Sequence, residues 1–372
     1  IHDYADSMVA YTEAAGGDIA LVARDRGLVD ELLGRAEVRD VLIGHVGVAD
    51  DDDSTYSQVW IYEYLYQLGL RGAVDKVNDD NVAIVVAAGS ILNGDQPPGT
   101  IGGESTAALL RRALNDETVK AVVLRVDSGG GSAFASEVIA EEIRTLQDAG
   151  KPVVASMGSI AASGGYWISM DADRIFASPT TITGSIGIVG MFPTFQRTIA
   201  AVGVGVDGVG TTPWSGQLRP DRAMSDETKQ LFQAVINDGY RDFITGVAEG
   251  RDLEVDYVDQ IGQGQVWSGT EALANGLVDE LGGLDAAIAA AAELAGLEQF
   301  GQKLIEKKIS PTEQLILDLL TMFIRVGIDP AAFTPRPTLV ESFANGFDAL
   351  LFEVAKFNDP MGRYAYCFCE FE

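Results

Sequence analysis

The sequence predicts an α/β fold with mostly parallel strand pairing, and three observations carry that reading. Short β-branched runs alternate with amphipathic stretches from Asn81 to Ala177, the order in which crossover helices separate parallel strands. The helical stretches keep apolar residues three and four apart, as Ile139, Ile143 and Leu146 do. Glycine, proline and serine cluster between the runs, where they end one element and start the next. With 372 residues, 47% of them hydrophobic and 22% charged, the chain can bury a full core.

Residues 1–45 read as helical and contain Gly27-Leu28-Val29-Asp30-Glu31-Leu32. The hexapeptide returns as Gly276-Leu277-Val278-Asp279-Glu280-Leu281, again after an Ala-rich stretch and before another helix. Six identical residues in matching context imply a tandem duplication, with residues 1–45 the tail of a first copy whose body lies upstream. The chain is therefore expected to be an N-terminally truncated fragment. A linker follows at 50–53, four aspartates without the spacing or glycine of a calcium loop, so no metal is assigned. The aromatic run 62–66 belongs to the same linker.

The second unit opens with a strand over 82–88, a helix over 104–115 capped by Ser105, and a strand over 121–126. A helix over 136–149, a strand over 153–157 and a strand over 174–177 continue the alternation. A helix near 194–202, a polar loop at 211–222, helices over 226–249 and 271–275, and an amphipathic stretch over 313–328 complete it. The expected units are thus 1–65, 66–300 and a helical C-terminal extension over 301–372.

Chemistry concentrates around Ser163, which lies between small residues at the start of a helix. Unpaired N–H groups and the positive end of the helix dipole favour developing negative charge there. The setting fits a nucleophile, and it equally fits a serine N-cap. The glycines Gly129, Gly130 and Gly131 lie between a strand and a helix, so with the Gly164 N–H they can form an oxyanion hole. No Gly-Lys-Ser/Thr follows them, which excludes a P-loop. The run Gly203-Val204-Gly205-Val206-Asp207-Gly208 matches a dinucleotide fingerprint in letters, but it follows a helix instead of a strand. No cofactor is assigned.

The histidines are His2 and His45, both in the first-copy tail, so a Ser-His-Asp triad within the second unit is excluded. A lysine kept neutral by burial can replace histidine. Of Lys76, Lys120, Lys151, Lys229, Lys303, Lys307, Lys308 and Lys356, none lies in a loop aimed at Ser163. Either the base comes from elsewhere or Ser163 is structural. Cys367 and Cys369 are one residue apart, a spacing that seldom forms a disulfide and makes a poor zinc site. A net charge of −29 argues against nucleic-acid binding. No run reaches the about 18 apolar residues of a spanning helix.

At these residues the sequence resembles the signal peptide peptidase SppA (protease IV) family in its long, two-domain form. The likeness runs through 127–132, 159–169, 183–188, 265–269, 274–281 and 357–366. It implies a Clp-protease/crotonase-like spiral α/β fold and endoproteolysis by a Ser/Lys dyad. Carried over by motif, Ser163 matches the nucleophile, Gly130 or Gly131 with Gly164 the oxyanion donors, and Ser185 a hydroxyl that orients the base. The family's lysine lies in the first domain. Its second-domain counterpart here is Gly210-Thr211-Thr212-Pro213, with Pro213 at the lysine's place. The base is thus expected upstream, and this chain alone is expected to be inactive. Gly129 replaces the family's usual proline and loosens the loop.

The resemblance further implies released signal peptides and other short apolar peptides as substrates. It also implies a homotetramer, membrane association through an N-terminal anchor, and a place on the periplasmic side of the bacterial inner membrane. The competing readings are a catalytically incomplete oligomerisation or peptide-binding remnant and a crotonase-like acyl-CoA enzyme, which would not need Ser163.

Overall fold

The computed structural model describes residues 4, 7–49, 52–57, 80–192, 194–212, 214–307 and 358–367. Helices α1 (Met8–Ala14), α2 (Ile19–Asp25) and α3 (Arg35–Val46) precede a ribbon of β1 (Val48–Ala49) and β2 (Asp52–Tyr56). Asp18 caps α2, its carboxylate accepting from the N–H groups of Ala20 and Leu21.

The body alternates as expected. In order come β3 (Asn81–Ala88), β4 (Ile91–Leu92), β5 (Ile101–Gly102), α4 (Gly103–Asn115), β6 (Val119–Ser128), β7 (Gly130–Ser132), α5 (Ala133–Asp148) and β8 (Val153–Ala162). Then come α6 (Gly164–Trp167), β9 (Arg174–Ala177), β10 (Ile182–Gly184), β11 (Val189–Gly190), α7 (Gln196–Ala201), α8 (Asp226–Arg251) and α9 (Val255–Ile261). The rest is β12 (Val266–Ser268), α10 (Gly269–Ala274), β13 (Glu280–Leu281), α11 (Leu284–Leu294), β14 (Gly301–Leu304) and β15 (Arg363–Tyr366).

The main sheet runs β12-β10-β8-β6-β3-β14, with β9 also pairing β8 and β13 pairing β9. All its pairs are parallel except β10 with β12. The central strands read as unbroken apolar runs because both faces are covered. Val82, Ala121, Val123 and Val154 pack with Ala287, Ile288 and Ala291 of α11. Their alternates Ala83, Val85, Val122, Leu124 and Ala155 pack with Leu110 of α4 and Ile139, Ile143 and Leu146 of α5. A second, mixed sheet runs β11-β15-β7-β4-β5. The chain crosses from the first sheet to the second at Gly129, between β6 and β7.

The tail of the expected first copy docks on this body by packing α1 on α8 and through charge from α3. Arg35 grips Glu104 with two hydrogen bonds of 2.8 and 2.6 Å, and the Ala36 N–H donates to Glu141 at 2.8 Å. Arg39, at 3.1 Å, and Arg111, at 3.4 Å, share the buried Glu142 carboxylate. Burial pushes that carboxyl up, and the two arginines oppose the shift.

Several expectations are corrected. The helix expected from 104 begins at Gly103 after Gly102, and Ser105 does not cap it. Its hydroxyl instead donates to the Gly102 carbonyl. The strand over 153–157 continues to Ala162, because β6 and β10 pair with its far half. Residues 301–304 and 363–366 are strands of the two sheets instead of parts of a helical extension. Cys367 is disulfide-bonded, where the sequence predicts no disulfide. His2, Lys76, Lys308, Lys356, Pro213, Cys369, the aromatic run 62–66 and the stretch 313–328 lie outside the described residues.

Candidate active site

Ser163 is the single residue between β8 and α6, and its backbone is strained. It takes φ 55° and ψ −116°, a region that residues with a Cβ seldom occupy. Neighbours hold it there: its N–H donates to the Gly184 carbonyl at 2.8 Å, and its carbonyl accepts from the Trp167 N–H at 2.8 Å. Although Ser163 occupies the N-cap position of α6, its side chain makes no capping bond. The hydroxyl is buried and has no hydrogen-bond partner among the described residues. Of the two readings open from sequence, the structural cap therefore fails. A polar atom buried without a partner is costly.

The one-turn helix behind Ser163 is fixed by large side chains. Tyr166 is buried and donates its hydroxyl to the Leu277 carbonyl at 2.8 Å. Burial drives its ionisation far up. Trp167 stacks on Phe243 at 4.5 Å and donates its ring N–H to Glu137 at 2.8 Å.

Gly130 and Gly164 meet in front of Ser163. A Cβ on Gly130 would collide with the Ala365 carbonyl oxygen and stand 2.6 Å from the Gly164 nitrogen. One on Gly164 would stand 2.8 Å from Ser136 Oγ and 3.1 Å from Gly130 Cα. Glycine at both positions is thus required by close approach. Gly164 is the first residue of α6, so its N–H has no acceptor inside the helix. The Gly130 N–H donates to Ser128 Oγ at 3.0 Å, while Ser128 donates to the Gly89 carbonyl at 2.7 Å. Gly131 lies in β7, opposite Ala365 of β15 and beside Ile91 of β4.

Ser185 follows β10 as Ser163 follows β8, and Gly184 registers with Ala162, so the two serines leave adjacent parallel strands side by side. Ser185 also has positive φ, 49°, and its N–H donates to the Gln265 carbonyl at 2.7 Å. It lines a cleft of about 550 Å³ together with Ile188, Val189, Tyr240, Val266 and Tyr366. Burial and a 2.7 Å hydrogen bond to Asp259 push the Tyr240 phenol up to about 12. A larger apolar cleft of about 610 Å³, between α1, α8 and the turn at 359–362, contains neither serine.

Each described lysine is engaged elsewhere. Lys120 pairs with Asp80, Lys229 with Asp226, Lys303 with Asp116 and Lys307 with Asp95. Lys151 donates to the carbonyls of Ala113, Leu114 and Asp116 at the end of α4. Sequence reasoning missed Ser128, Ser136 and the whole of β15, which form the walls of the glycine loop. Only the hydroxyl two residues before Gly130 offered a local signal for any of them.

Residues 145–298 match the model of peptidase family S49. The chain is 41% identical over 363 residues to protease 4 of Salmonella typhi, covering 98% of this chain and 57% of that protein. It is 37% identical over 202 residues to a putative protease of Synechocystis, covering 54% of this chain and 73% of that protein. Among solved structures, a ClpP1 mutant from Listeria monocytogenes aligns over 55% of this chain and 94% of its own, with a TM-score of 0.35 and 16% identity. The chain thus spans somewhat more than half the length of protease 4. A strained, unpartnered serine facing a glycine loop in an α/β frame, on a sequence this close to those proteases, places the chain in peptidase family S49.

Proposed function

We propose that this chain carries the nucleophile of a serine endopeptidase that cleaves released signal peptides and other short apolar peptides. A neutral lysine from a homologous upstream domain takes the Ser163 proton. The alkoxide attacks a peptide carbonyl, the Gly164 N–H with that of Gly130 or Gly131 holds the oxyanion, and water releases the acyl-enzyme. Ser185, at the end of the neighbouring strand, orients the lysine. The observation that carries this reading is the buried Ser163 hydroxyl, unpartnered on a strained turn, with every described lysine engaged elsewhere.

The first-copy tail supports an upstream domain, since Leu28 and Val29 of its hexapeptide are exposed here. The whole protein is then a homotetramer anchored in the bacterial inner membrane, its sites facing the periplasm. The anchor is assigned to the upstream part, and among the described residues of this chain no helix is long and apolar enough to cross a membrane.

Fluorophosphonate labelling tests the proposal, on this chain and on the chain joined to its upstream domain, each with Ser163→Ala. Labelling of the joined form alone, abolished by the substitution, is expected. Labelling of neither folded form favours a peptide-binding remnant instead.

A further inference from the structure

The segment 358–367 is remote in sequence from the glycine loop, yet its backbone forms one wall of it. Strand β15 pairs antiparallel with β7, setting Tyr364 against Ser132, Ala365 against Gly131 and Tyr366 against Gly130. The Cys367 N–H extends this ladder to the Gly129 carbonyl at 2.7 Å. The Ala365 carbonyl lies against both Gly130 and Gly164, so β15 touches the loop and the nucleophile turn at once.

One buried carboxylate fixes where β15 begins. Asp359 Oδ2 accepts from the Ser132 hydroxyl at 2.6 Å and from the Phe134 N–H at 3.0 Å. Its Oδ1 accepts from the N–H groups of Met361 at 2.8 Å and Arg363 at 3.0 Å. One oxygen therefore shapes the turn into β15, while the other holds the end of β7 and the first turn of α5. Ser132 is also the N-cap of α5, with its oxygen accepting from the Ala135 N–H at 3.1 Å. Its carbonyl accepts from Ser136 Oγ, the atom packed against Gly164. Asn358 adds a second anchor, exchanging hydrogen bonds with the backbone of Asn93 at 2.8 and 3.1 Å.

We infer that Asp359 is a positioning residue for the oxyanion loop, holding β15 and β7 in the register that aims the glycine N–H groups at the carbonyl under attack by Ser163. This inference rests on the peptidase reading. Asp359 touches no reacting atom, so its removal should lower the rate of bond-making more than the binding of peptide.

The test uses the chain joined to its upstream domain, Ser163→Ala as control, a fluorogenic apolar peptide and a fluorophosphonate. In Asp359→Asn, Oδ1 keeps its two acceptor bonds, and the group facing Ser132 and Phe134 becomes a donor. We expect kcat and the acylation rate to fall about 10²-fold, the cost typical of a misplaced catalytic group. KM should stay within about twofold, as for an interaction felt mainly in the transition state. Ser132→Ala, which deletes one of the same bonds, should give a smaller fall of the same kind, and the double variant should fall no further than Asp359→Asn. Unchanged kcat and acylation in folded Asp359→Asn overturn the assignment, as does a loss that only tracks the unfolded fraction. Should Asp359→Asn not fold, Ser132→Ala decides by the same readout. A parent protein that is never labelled at Ser163 overturns the peptidase reading and this assignment together. A labelled parent with an unaffected Asp359→Asn overturns this assignment alone.

Discussion

The two copies of the hexapeptide make the same turn in opposite surroundings. After α2, Gly27 takes φ 69° and the Leu28 N–H donates to the Ala23 carbonyl at 2.9 Å. After α10, Gly276 takes φ 77° and the Leu277 N–H donates to the Ala272 carbonyl at 2.9 Å. Both are left-handed helix ends that local sequence can build unaided. Their burial differs: Leu277 and Val278 are 0% and 2% exposed, Leu28 and Val29 47% and 42%. The second copy continues into β13 beside β9, where Asp279 accepts from the Ile175 N–H at 2.7 Å and pairs with Arg251. The first copy forms neither helix nor strand over 28–34. Six residues encode the turn, whereas the strand depends on having a β9 to pair with.

The largest effect that can break this comparison is a truncation made at both copies. Leu277→Ala should cost about 2–5 kcal/mol, the range for a buried leucine. Leu28→Ala should change this chain by less than about 0.5 kcal/mol, as at an exposed site. Urea denaturation of the two variants measures both. In the protein joined to the proposed upstream domain, the Leu28→Ala cost should rise toward that of Leu277→Ala. An equally small cost in both contexts would remove the structural basis for the duplication.

The same division between local and distant causes decides how much was legible in the sequence. The strands β3, β6 and β8 were readable because burial on two faces demands continuous Val, Leu and Ile. The far half of β8 was not, since Gly158, Ser159 and the following alanines have no strong strand preference. Pairing with β10 and the Ile160 N–H bond to Asp127 hold it extended. Ser163 was legible as a residue, but its strain and its unpartnered hydroxyl exist only once β8 and α6 flank it. Asp359 gave no signal because every group it holds beyond its own turn is remote in sequence.

Next in size is a pH effect at the seam where α1 leans on α8. Asp18, the cap of α2, faces Asp238 and Asp242 of α8, with Arg363 of β15 opposing them and Glu137 of α5 adding negative charge. Burial first, and Asp238 second, push the Asp242 carboxyl up to about 6. In the unfolded chain it titrates near its ordinary value of about 3.9. Between those values the folded state holds a proton that the unfolded state has released. This contribution to stability therefore falls as pH rises and is lost above about pH 6. The urea midpoint should be higher at pH 5 than at pH 7, and Asp242→Asn should raise the pH 7 value and narrow the gap. A gap that survives the substitution would belong to Asp238, Glu142 and Asp171, whose carboxyls burial also raises.

The smallest effect sharpens what holds each copy in place. The second copy is held mainly by apolar burial, the tail of the first by packing of α1 on α8 and by ion pairs from α3. The hydrogen bond between Arg35 and Glu104 raises the guanidinium and lowers the carboxyl. Both side chains are more than a third exposed, at 36% and 41%. Exposed pairs are worth about 0.2–1 kcal/mol, and two parallel bonds place this one near the upper end. Arg35→Gln should therefore cost less than about 1 kcal/mol at low salt and almost nothing in 1 M salt. Hydrogen exchange should show α3 loosening with salt in the parent chain while β13 and β9 keep their protection. Residual protection of α3 at high salt is the share of Arg39 and the buried Glu142, a pair that solvent ions reach poorly. Protection of α3 and β13 that falls in parallel with salt would show that charge does not distinguish the two dockings. The exposed face of the first copy would then need a different account.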